Sequence, residues 1–331
     1  MQNSDCDRYV TVVFASNQRG ALPLSVAIWS VVENAGENTC FDICVLNDGI
    51  EQKSQEQING LVTKAGTRHK VRFIDVSNVV PEGVKVNEVW PRAAWARVFL
   101  PLLLPEVSRA IYLDIDTLVC TDLKALHDIP MGNNALGVVL EHESYKDSHF
   151  NERLQIPQEC PGYFNSGVLL MNLDVFRRDN LVEKIMSYAQ ANEAVLSCPD
   201  QDALNGALCD RLVLLHPRWN WYGGWTRAIL KKGYFENAHR GVTQRQAVEA
   251  ALYPGVLHYR GQNNKPWVYN YGIDGKRYVD CMKRAGLNGC LPLSGWSFTK
   301  WLKKCASLPV YLYTWTRIRR LAKLYGVNCD S

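Results

Sequence analysis

Two carboxylates, Asp114 and Asp116, follow the apolar run Ala110-Ile111-Tyr112-Leu113, and apolar residues resume at Leu118-Val119. In an extended strand end alternate residues share a face, so both carboxylates are expected to aim at one spot. Like charges held that close repel unless a cation lies between them. Hard oxygen ligands of this kind suit Mn²⁺ or Mg²⁺, ions that usually complete their shell with phosphate oxygens. A bare Asp-x-Asp is more often a turn cap beside a solvated neighbour, so the assignment depends on what else the chain supplies.

Three other stretches supply it. Tyr163-Phe164-Asn165-Ser166-Gly167 precedes the buried run Val168-Leu169-Leu170-Met171, putting an amide and a glycine at a strand mouth where backbone can approach a ligand closely. Pro199-Asp200-Gln201-Asp202 opens a helix, with Asn205-Gly206 one turn on. His258-Tyr259-Arg260-Gly261 is followed by Lys265-Pro266-Trp267, offering an imidazole to a metal and a lysine to phosphate. Taken singly, each has a plain structural role: a hydrogen-bonded histidine, helix caps, a surface charge.

The elements that must position these residues read as α/β. Tyr9–Ala15, Phe41–Leu46, Val71–Asp75 and Arg109–Leu113 are short apolar strands. The helical patterns Leu22–Asn34, Glu51–Ala65 and Ala93–Leu104 separate them. That alternation predicts a parallel sheet with crossover helices, whose ligands gather at the strands' carboxyl ends. Beyond residue 120 the pattern continues less regularly. Strands are expected at Leu136–Leu140, Val168–Met171, Leu212–Leu215 and Val256–Tyr259, and helices at Val175–Ala191 and Asp200–Leu208. Trp219, Trp221, Tyr222 and Trp225 crowd a Gly-Gly turn and read first as packing.

At 331 residues the chain can bury a sizeable core. Its eleven cysteines are scattered without a C-x-x-C pair, suggesting neither a zinc ribbon nor a disulfide framework. The start, Met1-Gln2-Asn3-Ser4-Asp5-Cys6-Asp7, is polar and acidic, unlike a signal peptide, and no run of 18 apolar residues occurs. A cytoplasmic location with free thiols is the expectation. Residues 281–329 carry nine lysines and arginines and no acid, so the +4 net charge divides into a basic tail and a body at −5.

In order and content the four stretches resemble family 8 of the retaining glycosyltransferases, across roughly residues 9 to 270. The resemblance rests on strand-D-I-D, F-N-S-G-V-L-L-M-N, D-Q-D-A-L-N-G and H-Y-x-G-x-x-x-K-P-W, all in the family's order. It implies a GT-A-like (Rossmann-like) mixed, mainly parallel sheet flanked by helices, a UDP-hexose donor, and Mn²⁺ (or Mg²⁺) bridging the diphosphate. Carried over by position, it implies Asp114, Asp116 and His258 as metal ligands, and Gly261 and Lys265 as diphosphate contacts. Arg97, Asn165, Gly167, Asp200 and Gln201 match donor-sugar positions, and Ala15, Asn17 and Ile115 fall among the nucleotide-binding ones. Gln201 is expected beneath the anomeric carbon, favouring front-face transfer, with Asp200 the alternative nucleophile. Two departures stand out. Asn17, Gln18 and Arg19 replace acidic residues near the base, and Glu141 stands where some relatives carry a shorter Asp near the acceptor.

Outside this class, a haloacid-dehalogenase-type phosphatase also uses two Asp at i, i+2, but wants Gly then Thr after the second, whereas Thr117-Leu118 follows here. A non-catalytic sugar-nucleotide binding protein is the third reading, opposed by the three filled metal-ligand positions. The expected organisation is a catalytic domain over 1–290, with a nucleotide half to about 120 and an acceptor half to about 290, then a C-terminal basic aromatic helical tail over 291–331. In that tail Tyr311, Trp315, Ile318, Ala322 and Tyr325 align on one side of a helix, and Arg319, Arg320 and Lys323 on another. Such a pattern over 296–325 suits an anionic membrane surface, and no nucleic-acid motif accompanies it. The expected acceptor is a saccharide or glycolipid, probed by an enzyme attached peripherally to the cytoplasmic face of the inner membrane.

Overall fold

The computed structural model describes residues 9–81, 92–141, 148–223, 226, 229, 242–261, 265–267, 272–287 and 312–328. Nine strands occur among them: β1 (Tyr9–Ser16), β2 (Cys40–Asn47), β3 (Lys70–Asp75), β4 (Arg109–Leu113), β5 (Thr117–Val119), β6 (Leu136–Val138), β7 (Val168–Asn172), β8 (Leu212–Leu214) and β9 (Val256–His258). Seven form one sheet in the order β3-β2-β1-β4-β7-β6-β8. β3, β2, β1 and β4 are parallel, as expected from the crossover helices. β7 runs antiparallel to both β4 and β6, which makes the sheet mixed.

Alternation along the strands builds three layers. Val12 and Phe14 of β1, Ile43 and Val45 of β2, and Ile111 and Leu113 of β4 join one apolar cluster, completed by helices Ala21–Glu33, Gln52–Ala65 and Gly272–Ala285. Val13, Ala15, Cys44, Leu46 and Tyr112 point the other way, into a cluster with Trp95, Phe99, Phe176 and Leu204. Each fully buried aliphatic or aromatic side chain contributes about 1.5–3 kcal/mol relative to exposure, so the sheet is a rigid platform for what lies at its edge.

Three expectations change. Ala93–Leu104 is helix Arg92–Ala96, a 3₁₀ turn Arg97–Phe99, then helix Leu100–Leu103; the tightened turn directs the buried Arg97 guanidinium to Asp114 and the Ser166 carbonyl. Val175–Ala191 is two helices, Leu173–Arg178 and Leu181–Ala191, parted at Asn180, which adopts left-handed φ 50°. The cysteines are not all free. Cys160 and Cys209 form a disulfide, while Cys40, Cys44, Cys120, Cys198 and Cys281 are thiols among the described residues.

The described part of the tail, a helix over 312–324, lies against the body. Ile318 and Ala322 are buried in the first cluster, and Tyr325 donates its hydroxyl to Gln244 Oε1 (2.7 Å). The stripe read as lipid-facing is therefore turned inward at its centre, and Leu312, Tyr313 and Leu324 are the large apolar side chains left exposed. Tyr311, Trp296, Phe298, Trp301 and Trp225 lie outside the described residues. No described helix is long and apolar enough to cross a membrane.

Candidate active site

β4 ends at Leu113, and Asp114 continues its pairing by donating its N–H to Gly167 O (2.8 Å). The chain then turns, with Thr117 donating N–H and hydroxyl to Asp114 O, and starts β5. The two carboxylates thus converge through a turn rather than through strand alternation, because β5 leaves the main sheet to pair with β9. That second ladder sets Thr117 opposite His258, and Tyr259 N–H donates to Asp116 O (2.9 Å). Main-chain pairing therefore delivers the histidine across the 141 positions from Thr117 to His258.

The result is a cluster in which one ligand atom each from Asp114, Asp116 and His258 lies within 4.8 Å of the others. His258 Nε2 is 3.2 Å from Asp116 Oδ1 and 3.9 Å from Asp114 Oδ2. Lys265 pairs with Asp116 Oδ2 and donates to Tyr259 O (3.0 Å). Burial pushes the Asp116 carboxyl up, but His258 and Lys265 outweigh it and hold the group well below the ordinary carboxylate range. Gly167 is needed for space. A Cβ there would lie 2.3 Å from His258 Cε1 and 2.6 Å from Asp114 Oδ2. Gly261 sits at φ +80°, a conformation open to glycine.

Arg97 links this corner to the helix Pro199–Leu208. Its Nη2 donates to Asp114 Oδ1 (2.9 Å), its Nη1 to Ser166 O (2.7 Å), and its Nε lies 3.3 Å from Asp200 Oδ2. The guanidinium stacks over the Tyr112 ring at 4.4 Å, and the Tyr112 hydroxyl donates to Asp114 Oδ1. Burial, opposed by Arg97 and reinforced by Asp114, pushes the Asp200 carboxyl up to about 6. Gln201 Oε1 accepts from Ser166 N–H (2.9 Å) and Asn165 Nδ2 (3.0 Å), and its Nε2 donates to Tyr163 (2.8 Å).

Glu141 is buried beside this group, takes Arg260 Nη2 at 2.6 Å, and receives a long contact from Asn165 Nδ2 (3.4 Å). Arg260 in turn lies over the Tyr222 ring at 4.3 Å. Ala15 and Asn17 stand at the carboxyl end of β1, next to β4, but Asn17 Oδ1 already accepts Arg19 N–H (3.0 Å) and caps a short 3₁₀ turn. Ile115 is half-buried between the two aspartates.

Of the residues singled out in the sequence, the structure brings Arg97, Asp114, Asp116, Asn165, Gly167, Asp200, Gln201, His258 and Lys265 into one connected group, with Glu141 at its margin. Sequence reading missed Asn220, whose Oδ1 contacts His258 Nδ1 at 2.9 Å. It also missed the Arg153–Asp202–Tyr163 set that holds Gln201 from behind. The signal for Asn220 was a polar residue inside Trp219-Asn220-Trp221, since a fully buried amide must find partners.

The mixed, mainly parallel sheet flanked by helices is the GT-A class of glycosyltransferase fold, shared with solved glycosyltransferases. A galactosyltransferase, LgtC, solved in complex with donor and acceptor sugar analogs, superimposes with a TM-score of 0.70 at 26% identity, covering 84% of this chain and 95% of that one. General stress protein A of Bacillus subtilis is 26% identical over 80% of this chain and 89% of its own length. A lipopolysaccharide 1,2-glucosyltransferase of Escherichia coli K12 is 26% identical over 79% and 80%. Glycosyl transferase family 8 matches residues 11–271, and the chain belongs to that family. It is an enzyme that transfers sugars.

Proposed function

We propose that the chain moves galactose or glucose from a UDP-sugar to a saccharide acceptor of the lipopolysaccharide-core type, with Mn²⁺ (or Mg²⁺) held by Asp114, Asp116 and His258. The observation carrying this reading is the convergence of those three ligand atoms within 4.8 Å, beside Lys265 and Arg97. The donor set fits a divalent cation: two carboxylates and an imidazole nitrogen crowd one point, and Gly167 leaves room there. Bound there, the cation would offset charge on the leaving diphosphate.

The residues have separable tasks in this reading. Lys265 moves from Asp116 to a phosphate oxygen, and Gly261 lets the backbone approach the diphosphate. Arg97 ion-pairs with Asp114 and holds Asp200 in place. Asn165 and Asp200 contact the donor sugar. Gln201, held by four hydrogen-bonding contacts, presents an amide beneath the anomeric carbon and stabilises positive charge developing there. An amide is a weak nucleophile, which favours front-face transfer, with the leaving phosphate oxygen taking the acceptor's proton. Ala15, Asn17 and Ile115 line the base side. Glu141, neutralised by Arg260, borders the acceptor.

The tail, residues 291–331, attaches the enzyme to the cytoplasmic face of an anionic inner membrane in this reading. Exposed Leu312, Tyr313 and Leu324 alongside exposed Arg319, Arg320 and Lys323 support it. A panel of nucleotide sugars assayed for Mn²⁺-dependent hydrolysis tests the reading. UDP-galactose or UDP-glucose should be turned over and phosphomonoesters spared. Turnover of phosphomonoesters, or of nothing, would contradict it.

A further inference from the structure

Three buried amides and one imidazole form a hydrogen-bonded chain whose direction is fixed at two points by main-chain N–H groups, which can only donate. Gly167 N–H donates to Asn165 Oδ1 (3.0 Å), so that atom is the oxygen and Nδ2 is the donor toward Gln201. Ser166 N–H donates to Gln201 Oε1 (2.9 Å), which fixes the second amide in the same sense. The Asn220 atom 2.9 Å from Asn165 Oδ1 must then be its Nδ2, and its Oδ1 faces His258 Nδ1 at 2.9 Å. An amide oxygen is only an acceptor, so Nδ1 carries the hydrogen. Nε2 is then the ring nitrogen that faces Asp116 Oδ1 (3.2 Å) and Asp114 Oδ2 (3.9 Å), the atom a cation between those carboxylates would take as its ligand.

The fold holds Asn220 rigidly enough for this to matter. Asn220 and His258 are buried, and Asn220 is fully enclosed. The next residue, Trp221, pairs with β9, donating its N–H to Val256 O (2.9 Å) and accepting from His258 N–H (2.8 Å). The imidazole and the amide that orients it therefore ride on adjacent, hydrogen-bonded backbones.

We propose that Asn220 is a positioning residue with two separable tasks. Its carbonyl sets the His258 tautomer for metal binding, and its NH₂ group, through Asn165, sets the orientation of Gln201. The inference rests on the proposed metal and donor-sugar roles of His258 and Gln201. It follows that loading of the metal site and the geometry beneath the anomeric carbon share one fixed link.

Asn220→Asp and Asn220→Ala pull the two tasks apart. Aspartate still accepts from His258 Nδ1–H but cannot donate to Asn165, whereas alanine does neither. Mn²⁺ binding, read by electron paramagnetic resonance without donor, should stay within about threefold of wild type in N220D. In N220A it should weaken by about 10–100-fold, the usual effect of removing a partner of a metal-bound histidine. Both variants should lose kcat by about 10-fold or more. Equal Mn²⁺ affinity in all three proteins, or wild-type kcat in N220D, would overturn the proposal. Should either variant fail to fold, ¹⁵N-histidine NMR of the wild-type enzyme loaded with diamagnetic Mg²⁺ reads the tautomer directly. Nδ1–H is expected for His258, and Nε2–H would overturn the proposal. Failure of the wild type to bind Mn²⁺ would overturn the metal reading itself, a different result from unchanged affinity in the variants.

Discussion

The two ends of the site handle buried charge in opposite ways. At the helix end, Asp202 is fully buried yet completely partnered: Arg153 Nη1 at 2.8 Å, Tyr163 at 2.6 Å, and the N–H groups of Ser197 and Cys198. Burial pushes its carboxyl up, but Arg153 and Tyr163 outweigh that and hold it below the ordinary range. At the other end, Asp114, Asp116 and His258 face one another with Lys265 and Arg97 as their cations. The helix end is satisfied by the protein alone and serves as structure. The turn end crowds two carboxylates and an imidazole around one point, and in the proposed reading that point is where a cation sits. Asp200 stands between the two, with its carboxyl pushed up to about 6.

That contrast can be broken or sharpened by substitution. The largest effect is expected from Arg153→Ala, which strips Asp202 of its cation and should lower stability by about 3–5 kcal/mol, read by urea unfolding. A drop below about 1 kcal/mol would mean the helix end is not self-sufficient in the way described.

Asp200 comes next. Its folded-state value lies above the ordinary carboxylate value, so the native state holds the proton between about pH 4 and 6. Its contribution to stability is therefore present at low pH and is lost as pH rises through that window. The difference amounts to about 3 kcal/mol at neutrality. Asp200→Asn should remove this slope, so the variant gains on wild type as pH rises from 4 to 7. A stability difference independent of pH would contradict the assignment. Asp202 has the opposite sign, its stabilisation fading as pH falls through the acid range.

Gly167→Ala tests the turn end. A Cβ in contact with His258 and Asp114 should displace both, lowering kcat/KM by about 10²-fold with little change in unfolding midpoint. The smallest effect is expected at the tail. Leu324→Ser with Tyr313→Ser should leave donor hydrolysis unchanged and stability within about 0.5 kcal/mol, while weakening binding to vesicles containing anionic lipid. Unchanged vesicle binding would remove the membrane reading.

The parallel half of the sheet was readable because β1–β4 are apolar runs separated by periodic helices, and this local pattern survives folding nearly intact. The residues that converge at the turn end were readable for a different reason: motifs of fixed composition surround each of them. What could not be read depends on contacts between distant segments. Asn220 acts through His258, 38 residues away, with no spacing to announce it. Cys160 and Cys209, 49 residues apart, are one pairing among many that eleven cysteines allow. The break at Arg97 follows from the need to reach Asp114 and Ser166. In the tail, periodicity located a helix but not its surroundings, since an apolar stripe meets lipid and protein equally well. Ile318 and Ala322 chose the protein.

The central claim is that the turn end holds the cation on which sugar transfer depends. Asp116→Ala enzyme assayed with UDP-galactose and UDP-glucose across a Mn²⁺ titration tests it most directly. The expected result is loss of donor turnover at every Mn²⁺ concentration, with an unfolding midpoint close to wild type. A folded Asp116→Ala enzyme that still turns over donor with the wild-type Mn²⁺ dependence would contradict it.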